Sequence, residues 1–346
     1  MAHDVDTILI DGSEGEGGGQ ILRTSLSLAC ITGRSLRIEN IRAARRKPGL
    51  ARQHLSCVEA ACKISDGECD GAFLGSRTLD FRPGPVRGGD FYFDIGSAGS
   101  ASLVVQTVLP VLFTADTPST VTVAGGTHNP LAPPFDFIRE SFLPAVRRLG
   151  FECDAVLLKH GFFPAGGGKM TFRIKASQAK TRRPIDLCES DQARRINGRI
   201  YLARLPDHIG RRQEKLLLGS PLDLADVEHV RVTDSNGPGN CVMVRLCGAA
   251  RTTVFTAFGM RGRPSEQVVG EVVEMAAGFL QSGAAVDRFL ADQLLIYMAL
   301  SGGGRYTTNQ LSNHLLTNAE TIKKFLPVDF KAEQQAGAHH VWCLPA

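Results

Sequence analysis

The run Ser312-Asn313-His314-Leu315-Leu316-Thr317-Asn318 sets a histidine among small polar residues. An imidazole is a competent nucleophile toward phosphorus when an acceptor holds its other nitrogen. The same residue could equally cap a turn, just ahead of a helix that Thr317 or Asn318 would start. A second constellation is Asp11-Gly12-Ser13-Glu14-Gly15-Glu16-Gly17-Gly18-Gly19-Gln20-Ile21-Leu22-Arg23. Backbone N–H groups of a glycine-rich turn entering a helix can hold an anion. It is no Walker loop, because no Gly-Lys-Ser/Thr follows. It also misses the dinucleotide fingerprint, because Gln20 stands where Gly is needed. A carboxylate inside such a loop repels phosphate unless a divalent cation lies between them. Glu16 therefore reads as a metal-bridging residue beside a nucleotide, with a solvated glutamate on a strand-to-helix turn as the alternative.

A third segment, Arg42-Ala43-Ala44-Arg45-Arg46-Lys47-Pro48-Gly49-Leu50-Ala51-Arg52-Gln53-His54, holds five arginine and lysine residues and no acid. Guanidinium groups fit phosphate bidentately, so this loop suits phosphate. It contains no aromatic ring, so base stacking is not indicated. A fourth segment, Gly125-Gly126-Thr127-His128-Asn129-Pro130-Leu131-Ala132-Pro133-Pro134-Phe135, offers a proline wall and a ring at Phe135 for a base. His128 reads as a hydrogen-bonded loop histidine. Gly161-Phe162-Phe163-Pro164-Ala165-Gly166-Gly167-Gly168-Lys169-Met170 fails the P-loop pattern at Phe163 and Met170 and reads as a turn between strands. Phe289-Leu290-Ala291-Asp292-Gln293 puts a ring, a carboxylate and an amide within about one helical turn.

Three stretches must position these groups, and they share one plan. Helical spacing covers 21–31 and 53–64, with a strand at 35–41 and strand-like residues after 66. Helices at 102–114 and 135–149 flank a strand at 120–124. Helices at 286–300 and 318–326 are followed by strands at 305–308 and 340–344. Between the second and third stretches, 187–282 has its own strands (200–203, 242–246, 252–257) and helices (211–219, 266–281), as in a small inserted α/β domain.

With 346 residues the chain is long enough for about two domains. A charged fraction of 21% against 43% hydrophobic excludes disorder for most of it. No apolar run of membrane-spanning length exists, and the acidic start is unlike a secretory signal. Nine cysteines without a C-x-x-C pair argue against a disulfide framework and for a reducing, cytoplasmic compartment. A net charge of +4 is too small to imply nucleic acid by itself.

At the residues quoted above the sequence resembles the RNA 3′-terminal phosphate cyclase family, and its bacterial members more closely. The matching stretches are 15–23, 41–54, 96–106, 125–135, 160–168, 289–293 and 312–318, in order along nearly the whole chain. The resemblance implies an α/β (α+β) fold. A large domain of three repeated two-helix, four-strand units would span 1–186 and 285–346, with a small domain inserted at 187–284. It implies ATP-dependent conversion of an RNA 3′-phosphate to a 2′,3′-cyclic phosphate, with Mg²⁺ or Mn²⁺, through a histidine-bound AMP and an adenylylated RNA end.

By the same resemblance His314 is the nucleophile and Glu16 lies near the metal. Gln106, Pro133, Phe135, Phe289, Leu290, Ala291, Asp292 and Gln293 form the adenylate pocket. Arg23, Arg42, Arg45, Lys47, Arg52, Gln53 and His54 fall at the phosphate and RNA contacts. Phe289 stands where tyrosine is common, which keeps a ring and loses a hydroxyl. Tyr297 stands where proline is often found. Partners are RNA 3′-phosphate ends, with no membrane; a homodimer is one arrangement left open. The alternative is a non-catalytic cyclase-like protein that binds RNA in ribosome assembly, and such relatives lack the histidine. Enolpyruvyl transfer on a related repeat architecture fits the basic loop less well.

Overall fold

The computed structural model describes residues 7–177, 179–335 and 337–346. It is a mixed α/β molecule with four four-stranded sheets among the described residues. In the first, β1 (Ile8–Asp11) leads into α1 (Gly19–Thr32) and returns as β2 (Leu36–Glu39). α2 (Arg52–Ser65), β3 (Glu68–Asp70) and β4 (Leu79–Arg82) follow. The strand order is β1-β2-β4-β3, with β1 and β2 parallel and β4 antiparallel to β2. Ile8, Ile10, Leu36, Ile38, Leu79 and Phe81 are buried while Leu9 is exposed. This period of two sets one face of the sheet against the helices.

The second sheet is built from β5 (Asp90–Asp94), α3 (Ala101–Leu112) and β6 (Ser119–Gly125). A continuous helical stretch comes next: α4 (Phe135–Phe137), a π turn (Ile138–Phe142) and α5 (Leu143–Arg148). β7 (Cys153–Lys159) and β8 (Gly168–Ile174) complete the order β5-β6-β8-β7. β9 (Ile185–Leu187) then opens a third sheet that is finished only near the end of the chain.

In between come β10 (Arg195–Ala203), α6 (Asp207–Leu218), β11 (Asp226–Val232), β12 (Gly239–Cys247), β13 (Thr252–Phe258) and α7 (Ser265–Ser282). They form a sheet of order β11-β10-β12-β13. Its two faces have different neighbours. Ile200, Leu202, Val242, Val244 and Phe255 pack with Leu217, Val268 and Val272 into a separate core. Tyr201, Cys241, Met243 and Val254 belong to the main core. A buried carboxylate fixes this seam: Asp136 Oδ1 accepts from Tyr201 Oη (2.8 Å) and Arg199 Nη1 (2.9 Å), and Oδ2 faces His128 Nε2 at 3.0 Å. Burial opposes the Asp136 charge, but His128, Tyr201 and Arg199 outweigh it and hold its carboxyl well below the usual range. His128 is thus a buried, hydrogen-bonded loop histidine, as its sequence setting predicts.

The third sheet is completed by α8 (Arg288–Leu300), β14 (Gly304–Thr308), α9 (Asn313–Lys323), β15 (Val328–Gln335) and β16 (Ala338–Pro345), in the order β9-β14-β16-β15. β15 escaped the sequence reading because its residues from Lys331 to Gln335 are exposed and polar, leaving no apolar alternation. The last helix also begins earlier than its spacing predicts. Ser312 caps it by accepting from Leu315 N at 3.1 Å, which puts His314 inside the first turn and Thr317 and Asn318 one turn later. No helix among the described residues is long and apolar enough to cross a membrane.

Asp287 caps α8 by accepting from Phe289 N (2.9 Å) and Leu290 N (3.2 Å) while fully buried. Burial pushes its carboxyl up to about 6, against the downward pull of the two N–H donors. A carboxyl raised in the folded state makes stability fall as pH rises from about 4 to about 6. Asn caps nearly as well without the charge. Asp287→Asn should therefore gain on wild type across that window and be more stable by about 1–2 kcal/mol at pH 7 in urea unfolding.

Candidate active site

Parallel pairing brings the C-terminal ends of β1 and β2 together, so residues 12–18 and 40–50 leave the same end of one sheet. In the first loop Asp11 Oδ1 accepts from Ser13 N at 2.9 Å and Ser13 Oγ at 2.7 Å. Gly15 takes φ 55°, and a Cβ there would collide with the Thr317 hydroxyl. Glu16 N donates to that hydroxyl at 3.1 Å, so the loop is seated on α9. Gly19 opens α1, and a Cβ on it would collide with the His54 ring. The first turns of α1, α2 and α9 thus converge on one glycine loop, and helix N-termini favour anions.

The His314 side chain is half-exposed, and its Nδ1 lies 2.8 Å from Gln20 Oε1. The Gln20 amide is itself fixed, because its Nε2 donates to Asp292 Oδ1 at 2.6 Å. Its oxygen must then face the ring and accept. That places the proton on Nδ1 and the lone pair on Nε2. Asn318 Nδ2 donates to Asp292 O (3.0 Å) and to Asp292 Oδ1 (3.3 Å), and Thr24 Oγ1 donates to Asn318 Oδ1 at 2.7 Å. Burial pushes the Asp292 carboxyl up to about 6, although His314, Gln20, Arg23 and Asn318 pull it down.

Glu16 Oε1 is paired with Arg45. Its Oε2 lies 2.6 Å from His314 Nδ1 but is buried without a hydrogen-bond donor, since the ring N–H is directed to Gln20. Among the described residues no group of three or more His, Cys, Asp or Glu side chains is arranged around a metal.

The basic segment divides by role. Arg42 Nη1 donates to Gly49 O at 2.8 Å and braces its own loop. Arg45 reaches Glu16, while Lys47 stays exposed. Arg52, Gln53 and His54 form the first turn of α2, beside residues 96–99. His54 Nδ1 accepts from Ala51 N at 3.2 Å, which leaves its proton on Nε2. Burial, then Arg23, Arg42 and Arg45, push the His54 ring down to about 3, so it is a neutral donor at pH 7. Burial also lowers the Arg23 guanidinium.

A cleft beside this network is lined by Gln20, Arg23, Gln106, Gln293, Tyr297 and Asn318, among others. Gln293 Nε2 donates to Phe289 O at 3.0 Å, which leaves its buried Oε1 without a partner. Phe289 is 41% exposed, with the Arg288 guanidinium 4.7 Å from its ring centre. Pro133 is half-buried in the loop before α4. Leu290 and Ala291 lie in the main core. So does Phe135, whose ring is therefore closed to a base; the approach of Arg139 at 5.4 Å completes its burial. Asp292 points to Gln20 and Asn318, away from the simple pocket role that its neighbours suggest. Tyr297 packs edge-on against Phe113, Phe142 and Phe151, which accounts for a large ring at that position.

The sequence reading passed over Gln20, Thr24 and Asn318 as working groups. A helical-face count would have found them: Gln20, Arg23 and Thr24 share a face of α1, and Asn318 lies four residues beyond His314.

The model of the family described as RNA 3′-terminal phosphate cyclase matches residues 14–332. A protein named RNA 3′-terminal phosphate cyclase from Ralstonia nicotianae is 45% identical over 332 residues, 96% of this chain and 95% of its own. Proteins of the same name from Ectopseudomonas mendocina (43% over 331 residues, 95% of each chain) and Salmonella agona (45% over 327 residues, 94% of each chain) are similar to a like degree. A solved EPSP synthase from Acinetobacter baumannii aligns with a TM-score of 0.28 at 9% identity, over 94% of this chain and 62% of its own, which is too distant to bear on fold or function. Matched by the family model from the glycine loop through the His314 helix, and by relatives at 43–45% identity over nearly its full length, the chain belongs to the RNA 3′-terminal phosphate cyclase family of enzymes.

Proposed function

We propose that the protein converts an RNA 3′-terminal phosphate to a 2′,3′-cyclic phosphate at the expense of ATP, with His314 as the nucleophile. The observation that carries this reading is the Asp292–Gln20–His314 chain, which directs the lone pair of Nε2 outward beside an anion-favouring loop. Nε2 attacks the α-phosphorus of ATP; its bond to phosphorus forms as the bond to pyrophosphate breaks. An oxygen of the RNA 3′-phosphate then takes the AMP and releases the histidine. The adjacent 2′-hydroxyl attacks the activated phosphate, gives up its proton, closes the ring and expels AMP. Each displacement depends on in-line placement and charge neutralisation more than on strong acid–base help.

The cleft lined by Gln106 and Gln293, with Phe289 at its helix start, is the adenylate site in this reading, and Pro133 forms its outer wall. Arg23, Arg42, Arg45, Lys47, Arg52, Gln53 and His54 serve phosphate and RNA, with Arg42 acting through its loop. Glu16 is the residue to hold Mg²⁺ or Mn²⁺, since its buried oxygen has no donor and a divalent ion completes its shell with phosphate oxygens and water. Such an ion neutralises phosphate charge when bound. We also read the three sheets that share one strand order as a single unit used three times in residues 1–186 and 285–346, with 187–284 inserted; the second hydrophobic core supports that division.

The test is an RNA ending in 3′-phosphate, incubated with ATP and magnesium. The end should become phosphatase-resistant, with AMP and pyrophosphate released in equal amounts, and RNA ending in 3′-hydroxyl should not react. RNA that binds but is never converted would favour a non-catalytic role.

A further inference from the structure

Residues 71–78 are the third loop at the working end of the first sheet. β4 runs antiparallel to β2 with Ile38 opposite Leu79, so the segment entering β4 emerges beside the segment leaving β2. The two are zipped together. Ile41 N donates to Arg77 O (3.0 Å), Leu50 N to Ser76 O (2.9 Å) and Gly75 N to Leu50 O (2.8 Å). Gly49 takes φ 81°, and a Cβ there would collide with the Gly75 carbonyl, so the two backbones touch.

This juxtaposition supplies what the basic segment lacks in sequence, an aromatic ring. Phe73 is 62% exposed on the adjoining loop. Arg46, Lys47 and Arg77 are exposed around it, and none makes a side-chain hydrogen bond or ion pair among the described residues. Elsewhere on the same sheet the arginines are neutralised: Arg37 by Glu39 and Asp80, Arg82 by Glu68 and Asp70. An open ring beside three unneutralised cations matches a single strand, whose bases stack and whose phosphates seek charge. Through Arg45 and Glu16 the same loop reaches His314.

We infer that residues 71–78 and the basic loop together dock the single-stranded stretch of RNA just upstream of the reacting 3′ end, with Phe73 stacking on a base and Arg46, Lys47 and Arg77 holding phosphates. This rests on the proposed function for the identity of the substrate. The test uses the full chain as wild type, Phe73→Ala, Phe73→Trp and Arg77→Ala. The probes are an extended oligoribonucleotide 3′-phosphate carrying 2-aminopurine upstream of its end, and a dinucleotide 3′-phosphate. Phe73→Ala should raise KM for the extended RNA about 5- to 100-fold and abolish the fluorescence quench. It should leave kcat, AMP labelling of the protein and dinucleotide KM unchanged, and Phe73→Trp should restore binding. Arg77→Ala should reduce the salt slope of binding by about one.

Unchanged KM and quench in Phe73→Ala would overturn the dock. So would an altered oligomeric state with unaltered RNA binding, which would assign the ring to a protein contact. The quench needs no catalysis, so a wild type that quenches yet neither labels nor cyclises would overturn the proposed function and leave the dock supported.

Discussion

Replacing His314 with alanine should lower RNA-end cyclisation by at least about 10³-fold, the order seen when a nucleophile is removed from a preorganised site. Folding should barely notice. The side chain is half-exposed, α9 keeps its Ser312 cap, and the one hydrogen bond lost is to Gln20. Alanine is also the best helix former. Urea unfolding should shift by no more than about 0.5 kcal/mol, the usual range for surface changes. Cyclisation within a few-fold of wild type, in a variant with that unchanged unfolding curve, would remove His314 from the chemistry.

The second large effect belongs to a residue that would not touch the substrate. Gln20→Met keeps length and volume but removes the amide that directs the ring. His314 should then sample both tautomers, and AMP transfer to the protein should fall about 10²- to 10⁴-fold; a misdirected histidine tautomer in a serine protease costs about 10⁴. ATP affinity should change far less. The pH profile separates this from a structural loss. Above about 6 Asp292 is ionised and can only accept, which holds the Gln20 N–H toward it. As pH falls through 6 the carboxyl gains a proton to donate, and the amide is free to turn and present N–H to His314 Nδ1. Wild type should therefore lose activity on the acid side with a component near pH 6 that Gln20→Met lacks. His54, already pushed down to about 3, adds no break between pH 5 and 8. A profile of the same shape in both proteins would show that Asp292 does not act through Gln20.

Much of this arrangement is legible in the sequence where one residue type has one job. Glycines at 15 and 19 announce a backbone that approaches another group closely, and the structure supplies Thr317 and His54 as those groups. Apolar periodicity locates α1, α2 and α8 to within a residue or two. It fails for α9, whose first turn, Asn313-His314-Leu315, puts only one buried residue on the core face. Composition suggests a base-stacking ring at Phe135, but α4 turns that ring into the core. The open rings are Phe289 and Phe73, and Phe73 reaches the basic loop only through a strand pairing remote in sequence. The tautomer of His314 is likewise invisible in one dimension. It depends on an amide 294 residues away, whose orientation is set by a carboxylate on a third helix.

The central claim is a covalent histidine–AMP, and the most direct measurement needs no RNA. Wild-type protein is incubated with α-labelled ATP and magnesium, digested, and the labelled peptide mapped and titrated. The account predicts one label per chain on the peptide containing His314, attached at Nε2, removed by acid and stable to alkali. Label on a lysine, or no label on folded protein that still binds RNA, would contradict it.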